Sequence, residues 1–198
     1  MVVFRALVLA TALALASVGT ATAQDAGRSN LESAQAAYDR GEYREAVRLW
    51  RMAADQGDAS AQRMLGVSYF VGIGVPRNFV EAVGWYRMAA DQGDAIAQRN
   101  LGRMYSNGLG VPQNDAEAVR WYRMAADQGV AEAQLNLGIM YADGRGIPQN
   151  YVEAYKWLAL AAAQGDDLAV TNRDLVVRKM TPAQIAEGQR LAAAWRPR

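Results

Sequence analysis

The 198-residue chain contains no cysteine and no histidine. Without cysteine there are no disulfides, no thiol nucleophile and no lipid-attachment thiol. Without histidine the imidazole acid–base route is closed, and with both missing most transition-metal sites are too. No metal site and no cofactor is expected. The lack of cysteine suits an oxidising compartment without fixing one. Neither sign of charge dominates, with 21 Lys+Arg against 20 Asp+Glu. Such a balance creates no long-range field for nucleic acid or an anionic membrane. Beyond the first residues no hydrophobic run is long enough to span a bilayer.

Residues 1–23 read as a secretory signal peptide. Arg5 is the charged end, Ala6 to Val18 is an apolar run, and Ala21-Thr22-Ala23 is a small-residue cleavage site, which predicts cleavage before Gln24. As a helix the run would reach only about 20 Å, short of the hydrocarbon thickness, which disfavours an uncleaved anchor. In a bacterium-like cell the mature protein would be periplasmic or secreted. Residues 24–30 are small and polar, a flexible lead-in.

What is present is repetition. Trp-Tyr-Arg-Met-Ala-Ala-Asp-Gln-Gly occupies 85–93 and returns unchanged at 121–129, and its last six residues stand at 52–57. The closing glycines, Gly57, Gly93, Gly129 and Gly165, lie 36 residues apart. A fixed period of this size signals stacked supersecondary units. Each unit divides into two helices. Ala61, Met64, Leu65 and Tyr69 make one apolar stripe at helical spacing behind the capping residue Asp58. Gly72 and Pro76 stop that helix. Asn78 starts the next, with Glu81 three residues on in capping-box spacing; Asn114/Glu117 and Asn150/Glu153 repeat the arrangement. Ala82, Trp85, Tyr86, Ala89 and Ala90 form the second stripe. Val130 replaces the aspartate cap of the third unit, so a weaker helix start is expected there. An earlier pair over 31–57 has a tight turn at Gly41 and a stripe of Ala46, Trp50 and Ala53; it reads as a tetratricopeptide-like N-terminal unit. After Gly165 the repeat fades. A helix capped at Asp166 or Asp167, then a Thr181-Pro182-Ala183-Gln184 capping box, predict a C-terminal helical cap and tail over 167–198, since an array must cover its last inner surface.

The pattern A-x-x-x-L-G-x-x-Y-x-x-G-x-G-V-P, followed by a capped E-A-x-x-W-Y-x-x-A-A-x-Q-G, resembles the Sel-one-like repeat (SLR) family of the tetratricopeptide-like superfamily. Three copies over 58–166 carry the resemblance. It implies an all-α, right-handed α/α superhelix and a role in protein–protein contact. Exported bacterial members of the family serve as adaptors, regulators or host-interaction factors. A cysteine-rich branch is linked to β-lactam binding or hydrolysis; this chain has none of those cysteines, so that activity is not carried over.

Several motifs invite chemistry and are better read structurally. Gly72-x-Gly74, Gly108-x-Gly110 and Gly144-x-Gly146 lack the strand and lysine of a phosphate loop. Glu81, Glu117 and Glu153 sit at equivalent positions on successive units, not facing each other across a cleft as glycoside hydrolysis requires. Asp55, Asp91 and Asp127 form a solvated row. The periodic Tyr and Trp residues are core. No serine has an activating partner. The chain is therefore read as not an enzyme.

What remains is the variable surface. In tetratricopeptide-like folds the first helix of each pair lines the concave face. The non-consensus positions there are Arg63, Val67 and Phe70, then Arg99, Arg103, Ser106 and Asn107, then Leu135, Ile139 and Asp143. Arginines lie toward one end and apolar residues toward the other, which would suit a protein or peptide partner with an acidic part and an apolar anchor. The expected function is an exported peptide- or protein-binding adaptor or regulator in the bacterial envelope. An enzyme of cell-wall or β-lactam metabolism and a purely structural spacer are the alternatives.

Overall fold

Alanine-rich stripes at helical spacing, interrupted by glycine and proline, leave the chain one economical solution: short helices packed pairwise. The computed structural model describes residues 30–197. The signal peptide expected over residues 1–23 and nearly all of the expected lead-in lie outside these residues; Asn30 is already helical. Among the described residues there are ten helices and no strand. They are α1 (30–39), α2 (Tyr43–Asp55), α3 (Ala59–Val71), α4 (Phe79–Asp91), α5 (Ala95–Asn107), α6 (Asp115–Asp127), α7 (Ala131–Asp143), α8 (Tyr151–Ala163), α9 (Asp167–Val177) and α10 (Pro182–Ala194). Odd-numbered helices are the first, or A, helices of each pair; even-numbered ones are the B helices. No described helix is long and apolar enough to cross a membrane.

The chain divides into two compact units, parting between Arg77 and Asn78. In the first, Tyr38 at the end of α1 packs on Tyr43 and Trp50 of α2, with ring centroids 5.2 and 5.7 Å apart. Trp50, Leu65, Ala53 and Ala61 are buried there. In the second unit each helix packs on the next in order from α4 to α9, so successive pairs stack as a solenoid, and α10 lies against α8. Ala118, Tyr122, Ala126, Ala133, Leu137 and Trp157 form one core, and Leu135, Leu158, Ala161, Ala169 and Val176 form the next. The tryptophans obey the stripe: Trp50, Trp121 and Trp157 are buried, while Trp85 is half-buried.

The helix ends follow the expected chemistry, with one correction. Asp58, Asp94 and Asp166 accept from the amides of Ala61, Ala97 and Ala169. Asn78, Asn114 and Asn150 accept from Glu81, Glu117 and Glu153 amides at 3.1–3.2 Å. The reciprocal half of the expected capping box is not formed by Glu117 or Glu153. Glu117 turns to Arg120, and Glu153 accepts from Lys156 and from the Trp157 indole at 3.1 Å. A neighbouring cation and a buried indole donor outcompete the helix's own N-cap amide. The complete box occurs at Thr181 and Gln184. Val130 gives α7 no side-chain cap and instead packs against the core around Trp157.

Candidate functional site

The shared residues of each repeat hold the stack together. Gly102 of α5 lies so close to the Tyr122 ring that a Cβ there would stand 2.6 Å from it, and Gly138 is pressed against Leu158 in the same way. Gly110 sits over the first peptide of α4, where a Cβ would meet the Phe79 carbonyl oxygen at 2.3 Å. Gly146 repeats this contact on Asp115, at the start of α6. The glycine loops are thus clasps between consecutive pairs, with φ of +72° at Gly110 and +67° at Gly146, where a side chain would also strain the backbone.

Two polar ladders run through the same positions. Gln98 and Gln134 are fully buried, and their amides donate to the Ala90 and Ala126 carbonyls near the ends of the preceding B helices. Their carbonyl oxygens accept from Gln128 at 2.9 Å and Gln164 at 2.8 Å. In the first unit Gln62 donates likewise to Ala54. A buried amide costs stability unless both ends are satisfied, and in Gln98 and Gln134 both are. The second ladder joins an arginine of the B helices α2, α4 and α6 to the tyrosine of the A helix that follows each. Arg87 donates to the Tyr105 hydroxyl, Arg123 to Tyr141 at 2.5 Å, and Arg51 to Tyr69 at 2.6 Å in the first unit. The guanidinium carbons lie 5.6–5.9 Å from the ring centroids. Sequence reasoning singled out neither ladder; the signal was the repeat of Gln and Arg at fixed positions within the copies.

The variable positions fall outside this framework. In the first unit, Arg63, Val67 and Phe70 are half-buried on α3. In the second, Arg99 and Arg103 are half-buried on α5, Ser106 is half-buried, and Asn107 is exposed. Arg99 donates to Glu132 of α7 at 2.6 Å, with its side chain 20% and that of Glu132 47% exposed. Asn107 donates to the Arg103 carbonyl, and Ser106 accepts from Arg145 at 3.4 Å. Arg145 in turn clasps Asp115 at 2.8 Å. On α7, Ile139 is half-buried and Asp143 exposed, but Leu135 is buried. Leu135 points into the core shared with Ala169 and Val176 of α9, so its side chain is packing, not surface. These charges surround the buried phenol of Tyr122. Burial pushes its pKa up to about 12, Glu132 adding in the same direction and Arg103, Arg99 and Arg145 opposing.

Among the described residues no group of three or more Asp or Glu could hold a metal ion. What the surface can do is present guanidinium forks and apolar patches from a rigid frame.

The model of the Sel1 repeat matches four consecutive stretches, 35–58, 59–94, 95–130 and 131–166. The chain belongs to the Sel1 repeat family. The first match falls on the pair read from sequence as tetratricopeptide-like, so the Sel1 pattern extends one copy further than the three near-identical ones. Solved Sel1 proteins have the same fold. One is a protective antigen of uropathogenic Escherichia coli strains displaying an SLR fold, at 34% identity and TM-score 0.75 over 84% of this chain and 38% of that one. Another is a Sel1 repeat protein from Oxalobacter formigenes, at 34% identity and TM-score 0.68 over 75% of this chain and 45% of that one. The chain therefore spans less than half of either relative. No curated protein matches it. Sel1 repeat proteins generally mediate protein–protein interaction, and the fold is typically a non-catalytic scaffold for it.

Proposed function

We propose that this Sel1 protein is an exported adaptor or regulator of the bacterial envelope that binds a protein or peptide along the exposed side of its A helices. The observation that carries this reading is a division of labour. Residues common to the copies are engaged in clasps, ladders and cores, while Arg99, Arg103, Ser106, Asn107, Ile139 and Asp143 differ between copies and keep some exposure in the second unit. Arg63, Val67 and Phe70 hold the matching positions of the first unit. Leu135 supports the row from beneath. A frame fixed by its own repeats loses little freedom on binding, so most of the ordering cost falls on the partner. The arginines favour a partner with acidic groups. Export rests on the Arg5, apolar-run and Ala21-Thr22-Ala23 pattern of residues 1–23.

The experiment is affinity capture from a cell-envelope extract with wild-type protein and with the Arg99→Glu, Arg103→Glu double variant, both shown by circular dichroism to be helical. The charge reversal sets new carboxylates beside Glu132, a repulsive element as well as a lost attraction. Loss of a specific band with the variant supports the reading. Identical capture by both proteins contradicts the proposed surface. Turnover of muropeptides or β-lactams by the purified protein would favour the enzyme alternative.

A further inference from the structure

The 36-residue step does not stop where the recognisable repeat fades. Applied to α5 and α7, it carries the A-helix register into α9. Positions 96 and 132 become Leu168, and positions 103 and 139 become Leu175. The side of α9 that corresponds to the buried faces of α5 and α7 does enter the core, through Ala169 and Val176. The side that corresponds to the variable row does not: Leu168 is 65% and Leu175 51% exposed. A helix serving only to close an array needs a polar outer face. α9 instead shows two large apolar side chains one heptad apart, in line with half-buried Ile139.

The other end of the row already holds a carboxylate. Glu132 lies on the Arg99 guanidinium at 2.6 Å. The other copies have Ser60, Ile96 and Leu168 at this position, so the acid is peculiar to this repeat. It shows what chemistry Arg99 accepts, and Glu132, with its side chain 47% exposed, leaves its end of the pair open to replacement by another carboxylate.

We propose that α9 supplies the apolar half of the peptide groove, and that a ligand carboxylate replaces Glu132 on Arg99 at the other half. This rests on the adaptor reading above and makes its partner specific. From α5 to α9 there are two A-helix steps of about 8–10 Å each. An extended chain rises about 3.3–3.6 Å per residue. The ligand is thus an extended peptide segment with Asp or Glu about five or six residues from Leu, Ile or Phe. Leu168, Leu175 and Ile139 take the apolar residue; Arg99 and Arg103 take the acid.

The test is to pan a phage-displayed random heptapeptide library on the full chain. The selected peptides, made synthetically and labelled, are then titrated by fluorescence anisotropy. The expected peptides carry an acidic and a large apolar residue near opposite ends. Leu175→Asp weakens them at least tenfold, Arg99→Glu does the same, and Glu132→Gln tightens them several-fold. Leu168→Ser is a milder second variant, and circular dichroism checks that each protein is helical. Peptides that respond to Arg99→Glu but to neither leucine variant would overturn the role of α9 and leave the adaptor surface standing. Selected peptides indifferent to every one of these variants, or no selection at all, would overturn both.

Discussion

Two mid-helix glycines in neighbouring helices should respond to the same substitution with opposite signs. Gly84 of α4 is exposed, and a Cβ there would meet nothing within 4 Å. Replacing it by alanine removes backbone freedom from the unfolded chain and should stabilise the protein by about 1 kcal/mol. Gly102 of α5 is buried, and its Cβ would fall 2.6, 2.7 and 2.9 Å from three carbons of the Tyr122 ring. Carbon–carbon contacts settle near 3.5–4.0 Å, so ring or helix must retreat by about 1 Å. Tyr122 is 3% exposed and its ring has nowhere to go. Overpacking of this kind costs roughly 1–3 kcal/mol, against the same gain in helix propensity of about 1 kcal/mol. Gly102→Ala should therefore be net destabilising by up to about 2 kcal/mol. Urea denaturation followed by far-ultraviolet circular dichroism measures both variants. The cause can be isolated with a double-mutant cycle: in a Tyr122→Ala background the penalty of Gly102→Ala should vanish. If Gly102→Ala stabilises as much as Gly84→Ala, close approach of α5 and α6 is not what that glycine provides.

Further outcomes follow from the ladders, the clasps, the buried phenol and the amino-terminal segment. Gln98→Leu deletes the bonds to Ala90 and Gln128, although the Ala90 carbonyl keeps its bond from the Gly93 amide, so the two lost bonds together should cost about 1–3 kcal/mol by urea denaturation. Gly110→Ala meets backbone 2.3 Å away at a φ of +72°, so its denaturation midpoint should fall well below that of Gly102→Ala. The Tyr122 phenol has its pKa raised from 10.0 to about 12, so the fold favours the neutral form. Its contribution is complete below pH 10 and lost as pH rises toward 12, by roughly 2–3 kcal/mol. Thermal melts between pH 9 and 12 should show that decline, and it should be smaller in Tyr122→Phe. Expression in a bacterial host with periplasmic extraction should yield a mature chain beginning at Gln24, read by intact-mass spectrometry. An unprocessed chain in the cytoplasmic fraction would contradict export.

Most of the frame was legible because repetition turns single residues into a register. Gly57, Gly93, Gly129 and Gly165 set the step, and the Asn and Asp caps set the helix starts to within a residue. The buried glutamines were harder to see. A glutamine beside alanines reads as solvent-facing unless its acceptor is known, and Gln98 finds Gln128 thirty positions away. Arg123 and Tyr141 escaped notice for the same reason: each alone looks like a surface charge and a core ring, and only packing joins them. Leu135 was assigned to the open row because Arg99 precedes it by one period. The helix that follows differs, and Ala169 and Val176 of α9 bury Leu135. Conversely, α9 read as a mere cap because its consensus glycine and tyrosine are gone, although the register of its exposed leucines persists.

The central claim is that the variable side of the A helices, not the outer side of the B helices, meets the partner. Site-specific photocrosslinking decides this most directly. Benzoylphenylalanine is placed at Asn107 on α5 or at Met124 on α6, both exposed positions of the second unit, and irradiated in cell-envelope extract. The account predicts a discrete crosslinked species from Asn107 and none from Met124. Crosslinking from Met124 alone would contradict it.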